Sequence, residues 1–255
     1  MAMASPPSPS SPLDKPFTPK ERLFFVVYIL ALPYLFWFPL LYLSAMIRTY
    51  PERPSFYGLW LSPKALTVAY VASGALLVDH PRILRERMSK SGLHGEKPGE
   101  PLKEVWTHRI LLVLSLAEIF VSCYDAVGRA DADEKRAVNI VGSIMIVLSF
   151  VLLSWVFRAN SYGSKVVYKQ EGQQLITNGP YRIVRHPMYS FFTLMFVGLP
   201  LMLGSPFWGM IPSLLVVSCV MWRTYHEEDF LVDEFGDKYR KYQREVVWKM
   251  FPGLF

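Results

Sequence analysis

The sequence predicts an all-α integral membrane protein of about six transmembrane helices, and three observations carry that reading. Its hydrophobic residues, 52% of the chain, gather in blocks and do not recur with a 3.6- or 2.0-residue period. Several blocks approach the roughly 20 residues that a helix needs to cross a hydrocarbon core of about 30 Å. The charged residues, 19% of the chain, fall almost wholly between the blocks. A net charge of +6 is compatible with nucleic acid, but Lys and Arg flank apolar spans and form no basic face, so they read as juxtamembrane anchors and no nucleic-acid partner is expected. Cys123 and Cys219 lie in apolar blocks, and His80, His94 and His108 lack ligand spacing; neither a disulfide framework nor a metal is expected.

Residues 1–17 are rich in Pro and Ser and cannot bury a core, which predicts a disordered tail with no signal peptide. Thr18-Pro19-Lys20-Glu21 forms a capping box that opens the first helix. The first span runs from Leu23 to about Ile47, kinked at Pro33 and Pro39, and a more dilute second span runs from Ser62 to about Val78. Asp79 to Arg109 is basic and rich in Gly and Pro, and reads as a loop. The third span, Ile110 to about Tyr124, contains Glu118, either a functional acid at membrane depth or a bundle-facing Glu bonded to a neighbouring helix. The fourth span, Val138 to Phe157, carries no charge.

Between Asn160 and Pro180, the short β-like runs Val166–Tyr168 and Leu175–Thr177 predict a small hairpin or cap on the membrane face. The last apolar block, Tyr189 to Trp222, is too long for one helix. Gly204-Ser205-Pro206 divides it into a tight hairpin, with Ser205 as cap and Pro206 as the first residue of the returning helix. Leu231, Phe235, Tyr239, Tyr242 and Val246 then form the apolar stripe of an amphipathic segment that lies in the interface, opposite Lys238, Arg240, Lys241 and Arg244. The chain thus divides into a tail (1–17), a set of N-terminal membrane helices (18–137) and a core (138–255). With six spans, 21 of the 27 Lys and Arg residues fall on the side that holds both termini, which the positive-inside rule assigns to the cytosol.

Two polar motifs sit at the open ends of the last hairpin. Arg185-His186-Pro187-Met188-Tyr189 begins one helix, where backbone N–H groups lack partners, and Arg223, Glu227 and Glu228 end the other. A cation, carboxylates and a helix N-terminus at an apolar mouth suit a mixed-charge ligand on the water side and a lipid tail on the other. The same residues would equally serve as an interfacial ring, with Arg at headgroups, Tyr181 and Tyr189 in the aromatic belt, and Arg223 with Glu227 as a helix-surface pair.

Leu175–Tyr181, Arg185–Tyr189, Glu227-Glu228 and the following Glu234-Phe235-Gly236 and Tyr239 resemble the isoprenylcysteine carboxyl methyltransferase family, within a wider group that includes phospholipid methyltransferases. The resemblance covers about Val166 to Pro252 and implies S-adenosyl-L-methionine as cofactor. It implies that Gln173, Gln174, Leu175, Ile176, Tyr181, His186, Pro187, Met188 and Tyr189 line the cofactor site and that Glu227 binds its polar end. It implies that Arg223 holds the acceptor carboxylate, with His186 beside it as the second catalytic candidate. Tyr168 stands near a position that the family often fills with Gln. The implied partner is a lipophilic acceptor entering from the bilayer, either a prenylated protein C-terminus or a small lipid. The implied location is the endoplasmic reticulum membrane if the source is eukaryotic. Methyl transfer from a sulfonium to a carboxylate neutralises both charges, so a dehydrated site favours it and no general base is needed. Other readings are a phospholipid amine or thiol acceptor, a reductase resembling the steroid 5α-reductases, and a non-enzymatic membrane module. The reductases follow their His-Pro with Asn-Tyr and lack the Glu-Glu…Phe-Gly pattern.

Overall fold

The computed structural model describes residues 15–27, 102–128, 136–160, 162 and 174–255. The capping box forms as expected: the Thr18 amide donates to Glu21 Oε2 (2.9 Å), the Glu21 amide donates to Thr18 Oγ1 (3.3 Å), and helix runs over 19–27. The expected spans beyond residue 27, with Pro33, Pro39, the second span and residues 166–168, lie outside the described residues.

Among the described residues, five further α-helices follow: α1 (Leu102–Gly128), α2 (Arg136–Ala159), α3 (Pro187–Met202), α4 (Met210–Phe235) and α5 (Asp237–Glu245). The described residues contain no strand. Leu175–Thr177, expected as a β-like run, is irregular, because no described segment offers it a ladder. α1 begins at Leu102, well before the expected Ile110. No Gly or Pro interrupts Leu102–Arg109, and the Arg109 guanidinium lies over the Trp106 ring at 5.0 Å.

α1 and α2 each contain a stretch long and apolar enough to cross a bilayer, Trp106–Asp125 and Ala137–Ala159. Val113, Ile144 and Leu214 are more than half exposed, so α1, α2 and α4 direct apolar side chains outward as well as inward. That pattern suits a lipid solvent and would be a liability in water.

α1 packs along α4 and α2 along α3, while α3 and α4 form the hairpin. The α2–α3 crossing is close: a Cβ on Gly142 would collide with the Met202 backbone, and one on Gly198 would lie 2.9 Å from Met145 Cβ. Below it, Cys123, Ile146, Leu199, Met202 and Leu203 make one apolar cluster, and Tyr189, Val216, Val220 and Met250 make another nearer the motifs. Pro200 lies inside α3 and offers no N–H to the Phe196 carbonyl, which instead accepts the Ser213 hydroxyl of α4 at 2.8 Å.

The returning helix starts later than expected, at Met210 and not at Pro206. Ser205 still serves the turn: its hydroxyl accepts the Gly209 amide (2.9 Å) and donates to Asp125 of α1 (2.6 Å). That pair of bonds spends residues 206–209 on a turn before the helix can begin. The amphipathic segment is two pieces, because Gly236, at φ 55° and ψ −128°, breaks it between α4 and α5. In α5 Tyr239 and Tyr242 are buried, while Lys238, Arg240, Lys241 and Arg244 face solvent.

Candidate functional site

The site begins with a 3₁₀ turn, Gly179–Arg182, that packs on the end of α2; a Cβ on Gly179 would lie 3.2 Å from that of Ala159. Asn160 donates to the Tyr181 hydroxyl (2.8 Å), and the Tyr242 hydroxyl donates to the Tyr181 carbonyl (2.7 Å), so Tyr181 ties α2 to α5. The chain then reaches His186, the N-cap of α3, with Pro187 in the first turn. Proline disfavours helical backbone in the residue before it, and His186 is held at φ −122°, ψ 61°. Helix α3 therefore starts abruptly, with Arg185 and His186 just outside it, both buried.

Both residues are held by a strap, Val246 to Met250, that returns after α5. The Arg185 and His186 amides donate to the carbonyls of Trp248 (3.0 Å) and Lys249 (2.8 Å). Arg185 Nη1 donates to the carbonyls of Val246 (2.7 Å) and Val247 (2.9 Å), and the Ser190 hydroxyl donates to that of Met250 (2.6 Å). Arg185 Nε donates to Glu228 Oε1 at 2.6 Å. His186 stands between two carboxylates, its Nε2 3.3 Å from Glu228 Oε1 and its Nδ1 3.9 Å from Glu227 Oε2. Lys249 Nζ completes the group, 3.3 Å from Glu228 Oε2 and 3.5 Å above the Tyr225 ring.

Burial on its own would raise the Glu228 carboxyl, but hydrogen bonds from His186 and Arg185, with their charges, overcome it and hold the carboxyl at about 2. The Tyr239 and Tyr242 phenols are pushed up, by burial first. The Glu228 charge adds to both shifts, so both stay neutral.

The structure therefore brings His186 Nδ1 to 3.9 Å from Glu227 Oε2 and places Arg223, buried, one turn earlier on α4. Tyr189 is buried with its ring stacked on His186, centroids 5.9 Å apart, and Met188 packs against the cluster around Tyr189 and Val216. Gln174 is exposed and Leu175 and Ile176 are half-buried on the approach to the turn; Gln173 lies outside the described residues. Sequence reasoning gave no role to Arg185, Lys249 or the strap, and treated Glu228 only as a neighbour of Glu227. Consecutive helical residues point about 100° apart. Of the Glu-Glu pair, Glu228 turns inward to Arg185, His186 and Lys249, while Glu227 stays partly open with its Oε2 hydrogen-bonded to none of the described residues.

A phospholipid methyltransferase family model matches residues 138–238. A rice protein (Oryza sativa subsp. indica) named as a probable protein-S-isoprenylcysteine O-methyltransferase is 27% identical over 186 residues, 70% of this chain and 93% of that protein. The human protein-S-isoprenylcysteine O-methyltransferase is 32% identical over 111 residues, 42% of this chain and 39% of its own length. A solved structure of a eukaryotic intramembrane isoprenylcysteine carboxyl methyltransferase superposes with a TM-score of 0.51 at 16% identity, covering 93% of this chain and 99% of that one. With both motifs assembled inside the matched region, the chain resembles the isoprenylcysteine carboxyl methyltransferases in sequence and shares their fold.

Proposed function

We propose that this chain is an integral-membrane methyltransferase that transfers a methyl group from S-adenosyl-L-methionine to the carboxylate of a C-terminal prenylated cysteine. One observation carries it: His186 and Glu227 face each other at the mouth of an apolar hairpin, in a chain whose relatives are named for this activity. The residues suit the cofactor, because Glu227 Oε2 is a buried acceptor bonded to none of the described residues and matches an ammonium group. Glu227 would take the amino end, and Gln173, Gln174, Leu175, Ile176, Tyr181, Pro187, Met188 and Tyr189 would line the rest. When bound, the cofactor supplies an electrophilic methyl on a sulfonium.

Arg223 would hold the acceptor carboxylate, and its burial keeps that contact strong by excluding water. His186, tied by its backbone to the strap, orients Glu227 and walls the site. A carboxylate acceptor arrives ionised, so none of these side chains needs to remove a proton, and their work is placement. Both termini and the site would face the cytosol, with the prenyl chain entering sideways from the bilayer; in a eukaryote the membrane would be the endoplasmic reticulum.

The experiment offers purified, lipid-reconstituted protein labelled S-adenosylmethionine with farnesylated cysteine, phosphatidylethanolamine or a simple thiol. Label should pass to farnesylcysteine as an alkali-labile ester. Transfer only to the amine or the thiol would overturn the acceptor, and binding of NADPH in place of the methyl donor would overturn the chemistry.

A further inference from the structure

A cavity of about 470 Å³ lies between α2 and α3. Trp155 of α2, Ile183, Phe191 and Leu194 of α3, and Phe251 and Pro252 beyond the strap are among its walls. It uses a different face of α3 from Tyr189, which packs toward Val216 and Val220 of α4. Ser190 also lines it, but that hydroxyl is spent on the Met250 and His186 carbonyls. The remaining wall is almost all hydrocarbon, and the volume falls within the range of ligand-binding cavities.

Two exposed cations adjoin its walls in sequence. Arg158 lies one turn beyond Trp155 on α2, and Arg182 directly precedes Ile183; both are exposed. The two belong to elements in direct contact, since Gly179 packs on Ala159 and Asn160 bonds Tyr181. An apolar slot with an exposed cation beside each of two wall residues in the chain, and a half-exposed Trp155 among those walls, matches an amphiphile with a negative head.

We propose that this groove binds one acyl chain of an anionic phospholipid, with the lipid phosphate held by Arg158 and Arg182. The occupant would press on Phe251 and Pro252 and so steady the strap whose carbonyls hold Arg185 and His186. The groove shares Pro187 with the residues proposed to line the cofactor site, but its test is separate because it reads bound lipid and not turnover.

The full chain is reconstituted into bilayer discs containing equal phosphatidylcholine and phosphatidylserine, then moved into detergent, and the retained lipid is identified by mass spectrometry. Phosphatidylserine should be retained in excess over phosphatidylcholine. Arg158→Gln with Arg182→Gln should cut that excess roughly tenfold or more, since each cation near the surface attracts anionic lipid. Lys238→Gln with Arg244→Gln, on the exposed face of α5, should leave it unchanged. Leu194→Trp, which fills the groove, should lose both lipids; if that variant does not fold, the arginine pair decides alone. Retention indifferent to headgroup, or unmoved by the arginine pair, overturns the proposal. So does displacement of the lipid by farnesylcysteine, which would assign the groove to a prenyl chain.

Discussion

Arg185 is the most heavily committed side chain in the site, with one carboxylate and two strap carbonyls on its guanidinium. Replacing it with Ala strands the buried Glu228 charge, and losing one partner of such a pair costs about 3–5 kcal/mol. Thermal unfolding in detergent should therefore drop sharply for Arg185→Ala and recover in part for Arg185→Lys. Glu228 gives a pH test of the same group. Its carboxyl is lowered from 4.5 to about 2, so its stabilisation is complete above about pH 4.5 and is lost as pH falls toward 2. Unfolding temperatures should fall across that window in the native chain, and Glu228→Gln should flatten the dependence. Glu227 and Arg223 separate by kinetics. Glu227→Ala should weaken cofactor binding at least tenfold, the loss of a charge-assisted hydrogen bond of about 1.5–3 kcal/mol. Arg223→Ala should raise the acceptor KM and leave cofactor Kd alone; isothermal titration and steady-state rates would show the division. That the two motifs meet was legible in their residues. Which Glu takes the structural part was not, because adjacent helix positions differ only in rotation, and rotation is decided by where Arg185 lands.

The helices were readable from long apolar runs, and their ends less so. Leu102–Arg109 looked like loop because its charge and the Gly and Pro upstream masked good helix formers. The start of α4 was misplaced because Ser205 bonds Asp125 across the bundle, a contact no local pattern carries. Two glycines make the element-scale argument testable. Gly236, at φ 55°, has no heavy atom within 4 Å of a would-be Cβ, so Gly236→Ala meets backbone strain alone, about 1–3 kcal/mol. It should lower the melting temperature modestly and loosen α5. Gly142 has the opposite character: its Cβ would meet the α3 backbone itself, so Gly142→Leu should cost more than the roughly 1–3 kcal/mol of ordinary overpacking. If both variants melt alike, the close α2–α3 crossing is wrong.

For the molecule as a whole, the count of Lys and Arg predicts one orientation, and the hairpin supplies two ends on which to test it. The α3–α4 turn with exposed Trp208 lies at the opposite end of the hairpin from α5. In sealed vesicles with the cytosolic face outward, a membrane-impermeant maleimide should label Lys241→Cys at once and Trp208→Cys only after permeabilisation. The reverse pattern would invert the topology. The matched family region ends at residue 238, before the strap begins, so the strap was invisible both to that pattern and to a reading built on the motifs. Its hold on Arg185 and His186 uses backbone carbonyls, which leave no mark in side-chain identity. That has a consequence for truncated chains. Helices α3 and α4 are complete in sequence by Phe235, but Arg185 finds its carbonyl partners only once Val246 to Trp248 follow. A chain cut between these two points would keep the hairpin and yet lack the hold on Arg185 and His186, and so be catalytically silent.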